Sequence, residues 1–188
     1  MIEVSRTIGV VLAAGRSRRF GADKLLQPLH GQPLGAHIAI ELANLPLLQR
    51  IAVCPLGTAA RRQIYSSRGF VLLDNPQPGR GMGTSLALAA QHALAAGADA
   101  LLVCLADMPH IPASHLQGLL ALARLDRNVA TEADGLRGPP IAIGAHALAG
   151  LVQLSGDYGA RHLLAAAAIL PAAGEVVRDY DVPADFFP

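Results

Sequence analysis

A three-layer α/β fold, a mostly parallel sheet with helices on both faces, is predicted by three features of this 188-residue chain. Short apolar runs alternate with longer stretches of helical periodicity, beginning in the order β-α-β-α-β-α-β. The hydrophobic fraction of 52% is carried by Ala, Leu and Val, with no Trp, which suits alanine-rich helices packed closely on a sheet. The length fits one domain over residues 1–188, large enough to bury roughly 70% of the surface that the unfolded chain would expose.

The first strand is the apolar run Ile8–Ala13, followed by a predicted helix over Pro33–Asn44. Arg50–Cys54 and Phe70–Leu73 read as strands on either side of a helix at Thr58–Ser67. The next helix, Thr84–Ala96, opens on two hydroxyl residues, either of which can cap it. Strand Ala100–Leu105 then ends abruptly before Asp107. A helix at Ala113–Arg124 leads to strands at Val129–Ala133 and Pro140–Ile143, helices at Ala145–Leu154 and Ala160–Ala168, and a last strand at Val176–Tyr180. In such a sheet ligands bind outside the carboxyl ends of the strands, so the loops after the first, third and fourth strands should open on one edge.

Chemistry concentrates in those loops. Leu12 to Lys24 reads L-A-A-G-R-S-R-R-F-G-A-D-K and ends on the sole lysine of the chain. Gly15 and Gly21 let backbone N–H groups approach an anion, while Arg16, Arg18, Arg19 and Lys24 add charge, so a phosphate site is expected. Neither G-x-x-x-x-G-K-[ST] nor G-x-G-x-x-G is present. In Gly79 to Ser85, Gly81, Met82, Gly83 and Ser85 make a glycine-rich helix start against which a base or ribose can lie. Asp107 at a buried strand end needs a cation, and Mg²⁺ beside a phosphate loop meets that need. Asp179 and Asp181 alternate near the C-terminus, so at most one should join Asp107; Asp179 is preferred and Asp181 is the alternative. In L-S-G-D-Y-G-A-R, Asp157 and Arg161 either form a capped, paired helix start or hold a second anionic substrate, with Arg137 forming another wall of that pocket.

Composition excludes several classes. A formal charge of +1 argues against a nucleic-acid binder. Cys54 and Cys104 lie far apart and suggest buried free thiols rather than a metal or disulfide framework. No apolar run reaches the roughly 18 residues needed to span a bilayer, and no signal-peptide pattern opens the chain, so a soluble cytoplasmic protein is expected. The seven histidines are scattered, and only His110 lies near Asp107.

Together these motifs resemble those of the molybdenum cofactor nucleotidyltransferases, within the MobA-like superfamily. The resemblance rests on L-A-A-G-R-S-R-R-F-G-A-D-K-L-L-Q-P-L-H-G-Q-P-L, G-M-G-T-S-L, L-A-D-M-P, L-S-G-D-Y-G-A-R-H-L-L and D-Y-D-V-P-A-D, whose order and spacing match over nearly the whole chain. The G-D-x-G-A-R block and Ala14 of L-A-A-G are similar to the cytidylyltransferase branch, whereas guanylyl relatives more often carry L-A-G-G. Phe20 and Pro139 depart from the family's usual Met and His.

The resemblance implies a Rossmann-like nucleotidyltransferase fold. It also implies transfer of CMP from CTP to the terminal phosphate of molybdopterin, with Mg²⁺ as cofactor and a molybdoenzyme as recipient of the product. By the same resemblance, Leu12, Ala13, Ala14 and Gly15 contact the base, Arg16, Arg19 and Lys24 hold the triphosphate, and Asp107 holds Mg²⁺. GTP in place of CTP, or another small phosphate as acceptor, is the nearest alternative. A non-catalytic carrier of the cofactor is another, but it would not need Lys24 and Asp107 together.

Overall fold

A computed structural model describes residues 2–17, 19–156 and 161–186. Strand β1 (Thr7–Leu12) leads through the basic loop to a small hairpin, β2 (Pro28–Leu29) and β3 (Gln32–Pro33), and then to α1 (Ala36–Ala43). There follow β4 (Gln49–Pro55), α2 (Ala59–Ser66), β5 (Val71–Asn75), α3 (Met82–Ala95), β6 (Ala100–Leu105) and α4 (Ala113–Leu122). The chain continues through β7 (Val129–Ala133), β8 (Leu136–Gly144), α5 (Ala145–Leu151), α6 (Arg161–Ala165) and β9 (Ala168–Pro171).

The main sheet has the order β5-β4-β1-β6-β8-β7-β9. Strands β5, β4, β1 and β6 run parallel, while β8 is antiparallel to both β6 and β7. This is the expected three-layer, mostly parallel Rossmann-like arrangement. Alternation along each strand sends side chains to two separate cores. Val11, Ala52, Leu102 and Cys104 meet Leu34, Ile38, Tyr65, Leu116 and Leu119 on one face. Ile8, Val10, Leu12, Ile51, Leu101 and Val103 meet Leu86, Ala89, Ala90, Ala93, Leu148 and Leu151 on the other. Alanines on α3 let that helix approach the sheet closely. Both cysteines are buried and free, and burial pushes the Cys54 thiol up to about 11. No described helix is long and apolar enough to cross a membrane.

Three expected elements differ. The helix expected from Pro33 begins at Ala36, because His30 and Gly31, with φ of 47° and 80°, close the β2–β3 hairpin first. The helix expected over Ala160–Ala168 stops at Ala165, and Ala168–Pro171 is instead a strand pairing in parallel with β7. Alanine favours helix locally, but an open sheet edge offers ladder hydrogen bonds that outweigh that preference. The strand expected at Val176–Tyr180 is a 3₁₀ turn, Gly174–Val177, followed by an extended strap. Its Tyr180 N–H donates to the Asp107 carbonyl at 3.1 Å, so the strap joins the loop after β6 and not a sheet.

Candidate active site

The basic loop leaves β1 in the middle of the sheet, flanked by β4 and β6. It closes on a 3₁₀ turn, Lys24–Leu26, whose start is capped by Asp23: Oδ1 accepts from the Leu25 N–H at 3.1 Å. The Lys24 N–H donates to Ser17 Oγ at 3.3 Å. These contacts turn the Lys24 side chain inward, where it is buried.

Lys24 Nζ lies 2.8 Å from Asp107 Oδ2 and 2.7 Å from Asp181 Oδ1. Arg19 Nη2 reaches the other Asp181 oxygen at 2.6 Å. One ammonium thus bridges carboxylates from the end of β6 and from the C-terminal strap. Burial works against its charge, but Asp107 and then Asp181 outweigh burial and raise its pKa.

Asp181, the alternative, is therefore the partner of Asp107; the preferred Asp179 forms no ion pair among the described residues. Desolvation, then the charges of Asp181 and Asp107, raise the Asp179 pKa. The reason for the difference is the path of the strap. Tyr180 is buried against His110, whose ring nitrogen is 3.0 Å from its hydroxyl, and Asp185 Oδ2 accepts the N–H groups of Asp181 and Val182 at 2.7 and 2.8 Å. That turn leaves Asp181 facing Lys24. His110 serves as the clasp of the strap and does not line the cleft.

Beside this cluster lies a cleft of about 480 Å³. From the first loop it is lined by Leu12, Ala14, Gly15, Arg16, Ser17, Arg19 and Lys24; from the second by Pro78, Gly79, Gly81, Met82 and Ser85. Asp107 and Asp181 complete the polar wall, with Leu105 and Ala106 beside them. Arg16 spans the two loops, since a Cβ placed on Gly79 would lie 3.1 Å from its Nη1.

Two predicted nucleotide residues stand behind the cleft. Ala13 is buried and donates its N–H to the Val53 carbonyl at 2.9 Å. Gly83 donates to the Gly156 carbonyl at 2.9 Å, and a Cβ there would meet that oxygen at 2.5 Å, so glycine is what permits this backbone approach.

The acceptor residues divide differently. Arg137 donates to the carbonyls of Leu164 and Ala165 at 3.3 and 2.9 Å and pairs with Glu132, capping α6; it does not line the cleft. A guanidinium beside the open carbonyls of a helix end satisfies them, which accounts for its position. Asp157 lies outside the described residues. Arg161 opens α6, and its side chain also lies outside them.

Two supporting residues escape motif reading. Asn75 is buried at the end of β5, where Nδ2 donates to Thr84 Oγ1 and Ser85 Oγ at 2.9 and 2.8 Å and Oδ1 accepts from the Gln77 N–H at 2.8 Å. It ties the second loop to the start of α3. Arg61, on α2, is buried behind the first loop, in helical phase with the buried Ile64 and Tyr65; that spacing is the signal by which it could be found.

The family model described as MobA-like NTP transferase domain matches residues 9–172. Purine catabolism protein PucB of Bacillus subtilis (strain 168) is 32% identical over 95% of this chain and 93% of its own length. A molybdenum cofactor guanylyltransferase of Rhodobacter capsulatus is 33% identical over 63% of this chain and 60% of its own. Among solved structures, the homologue of Mycobacterium tuberculosis Rv0371c from Mycobacterium sp. strain JC1 superposes with a TM-score of 0.78 at 29% identity, covering 98% of this chain and 94% of the other.

Proposed function

This chain belongs to the MobA-like NTP transferase family, a family of nucleotidyltransferases, and we propose that it moves CMP from CTP to the terminal phosphate of molybdopterin. The observation that carries this reading is the Lys24 bridge between Asp107 and Asp181 at the mouth of a two-loop cleft. Arg16, Arg19 and Lys24 bring cations to the place where a triphosphate would lie. An acceptor phosphate oxygen forms a bond to the α-phosphorus, the bond from that phosphorus to the pyrophosphate oxygen breaks, and pyrophosphate leaves. Because the attacking phosphate is already ionised, no side chain need remove a proton. The protein's contribution is to align the two substrates and to place positive charge around the reacting phosphates.

Asp107 and Asp181 fit Mg²⁺, since they are hard oxygen donors that already share a single cation. They would hold the ion, which when bound would neutralise phosphate charge. Ala14 supports CTP over GTP, because it lines the cleft at a place where glycine would leave more room, and a pyrimidine is smaller than a purine. The guanylyltransferase relatives favour GTP as the second reading. A cytoplasmic enzyme that hands its product to a molybdoenzyme fits the proposed chemistry.

Pyrophosphate release tests the proposal. Purified protein with Mg²⁺, molybdopterin and each of CTP, GTP, ATP and UTP should turn over fastest with CTP. A preference for GTP would overturn the base assignment, and release with none of the four would overturn the reaction.

A further inference from the structure

Among the described residues Arg61 is the only buried arginine, and it does not line the cleft. Its guanidinium grips the first loop at both ends. Nη1 donates to the carbonyls of Ala13 and Gly15 at 2.7 and 2.8 Å, where the chain leaves β1. Nε and Nη2 meet the two oxygens of Asp23 at 2.8 and 2.7 Å, immediately before Lys24. The Asp23 carboxylate in turn caps the turn that carries Lys24.

Resting on the nucleotidyl-transfer reading above, we infer that Arg61 is a positioning residue for the nucleotide. It holds the loop from Ala13 to Lys24 in its binding shape and cancels the charge of Asp23. The segment between the two grips contributes Ala14, Gly15, Arg16, Ser17 and Arg19 to the cleft wall, yet its described residues form no helix or strand. A planar group on α2 holds both of its ends from outside. Charge matters equally. Asp23 sits beside the residue meant to meet a triphosphate, and an unpaired carboxylate there would repel the substrate. A lysine could supply the charge, but its donors radiate from one nitrogen and cannot span Asp23 and two carbonyls together.

The test measures CTP affinity of the full chain by calorimetry with Mg²⁺, at a temperature below the melting point of each variant. Arg61→Lys should weaken CTP binding roughly ten- to hundredfold, as expected when binding groups shift by about an ångström. KM for CTP should rise while KM for molybdopterin stays unchanged. Arg61→Ala should regain CTP affinity when guanidinium ion is added far below denaturing concentrations; if this variant does not fold, Arg61→Lys decides.

A purely structural arginine would lower the melting temperature without changing CTP affinity of the folded protein. Arg61→Lys binding CTP within about twofold of wild type would therefore overturn the inference alone. Wild-type protein that binds no nucleoside triphosphate would overturn the functional reading and the inference with it.

Discussion

Lys24 is the residue on which the site turns, because it touches both carboxylates that the sheet and the strap bring together. Arginine at this place would keep the charge but exchange a compact ammonium for a wider plane. Lys24→Arg should slow CMP transfer, and Lys24→Ala should slow it by roughly 10²–10³-fold, as loss of one transition-state donor does elsewhere, measured as pyrophosphate release.

The two C-terminal aspartates give opposite expectations. Asp181→Asn should lower transfer as severely as Asp107→Asn, whereas Asp179→Asn should leave turnover near wild type. Because the folded pKa of Asp179 is raised, the fold favours its protonated form. The stabilising contribution of that proton is complete below the ordinary carboxylate range and is lost as pH rises through the raised value. Asp179→Asn should therefore raise the melting temperature slightly at neutral pH and give no gain near pH 3, about the lower edge of that range. The gain is small because Asp179 is exposed overall. Sequence narrowed the choice to these two residues. Its preference for Asp179 treated the segment as a strand, where facing is set by alternation, whereas the buried Tyr180 and the Asp185 turn set the facing here and bring Asp181 to Lys24.

Among elements, α3 shows how much a helix start depends on its neighbours. Its N-terminal turn is tied to β5 by Asn75 and to the segment before Asp157 by the Gly83–Gly156 hydrogen bond. Gly83→Ala would drive a Cβ into the backbone at Ser155 and Gly156, which cannot rotate aside. It should cost about 1–3 kcal/mol by overpacking, seen in chemical denaturation, and raise KM for CTP as Met82 and Ser85 shift. Strand β6 behaves as a core element, with Leu102 fully buried beneath the helices. Leu102→Ala should destabilise by about 2–5 kcal/mol. Both strand β6 and the helical character of α3 were legible from apolar run and period. The strand β9 was not, since A-A-A-A-I-L carries no local sign that an open sheet edge awaits it.

The whole molecule brings together Lys24, Asp107 and Asp181, which are remote in sequence. The strap that supplies Asp181 is held by a cluster of rings: Tyr180 packs on His110 and Phe186, and Phe186 on Phe20 of the basic loop. Truncation after Arg178 should remove transfer while retaining most helical circular dichroism, since every α-helix and strand named above precedes it and, among the described residues of the removed segment, only Tyr180 and Phe186 pack on a core. Unchanged turnover in that truncated chain would eliminate Asp181 from the site.

The sequence by itself determined the layered α/β class, the two loops that wall the cleft, Lys24 at the end of the first and Asp107 after β6, because buried strands, glycine turns and strand-end charges leave local patterns. Tertiary structure alone decided that Asp181 completes the cluster, that Arg137 caps a helix, and that Arg61 grips the loop from behind. Those roles depend on which backbone passes near which side chain after the sheet has formed, and hydrogen bonds between segments so far apart leave no period in the chain that makes them.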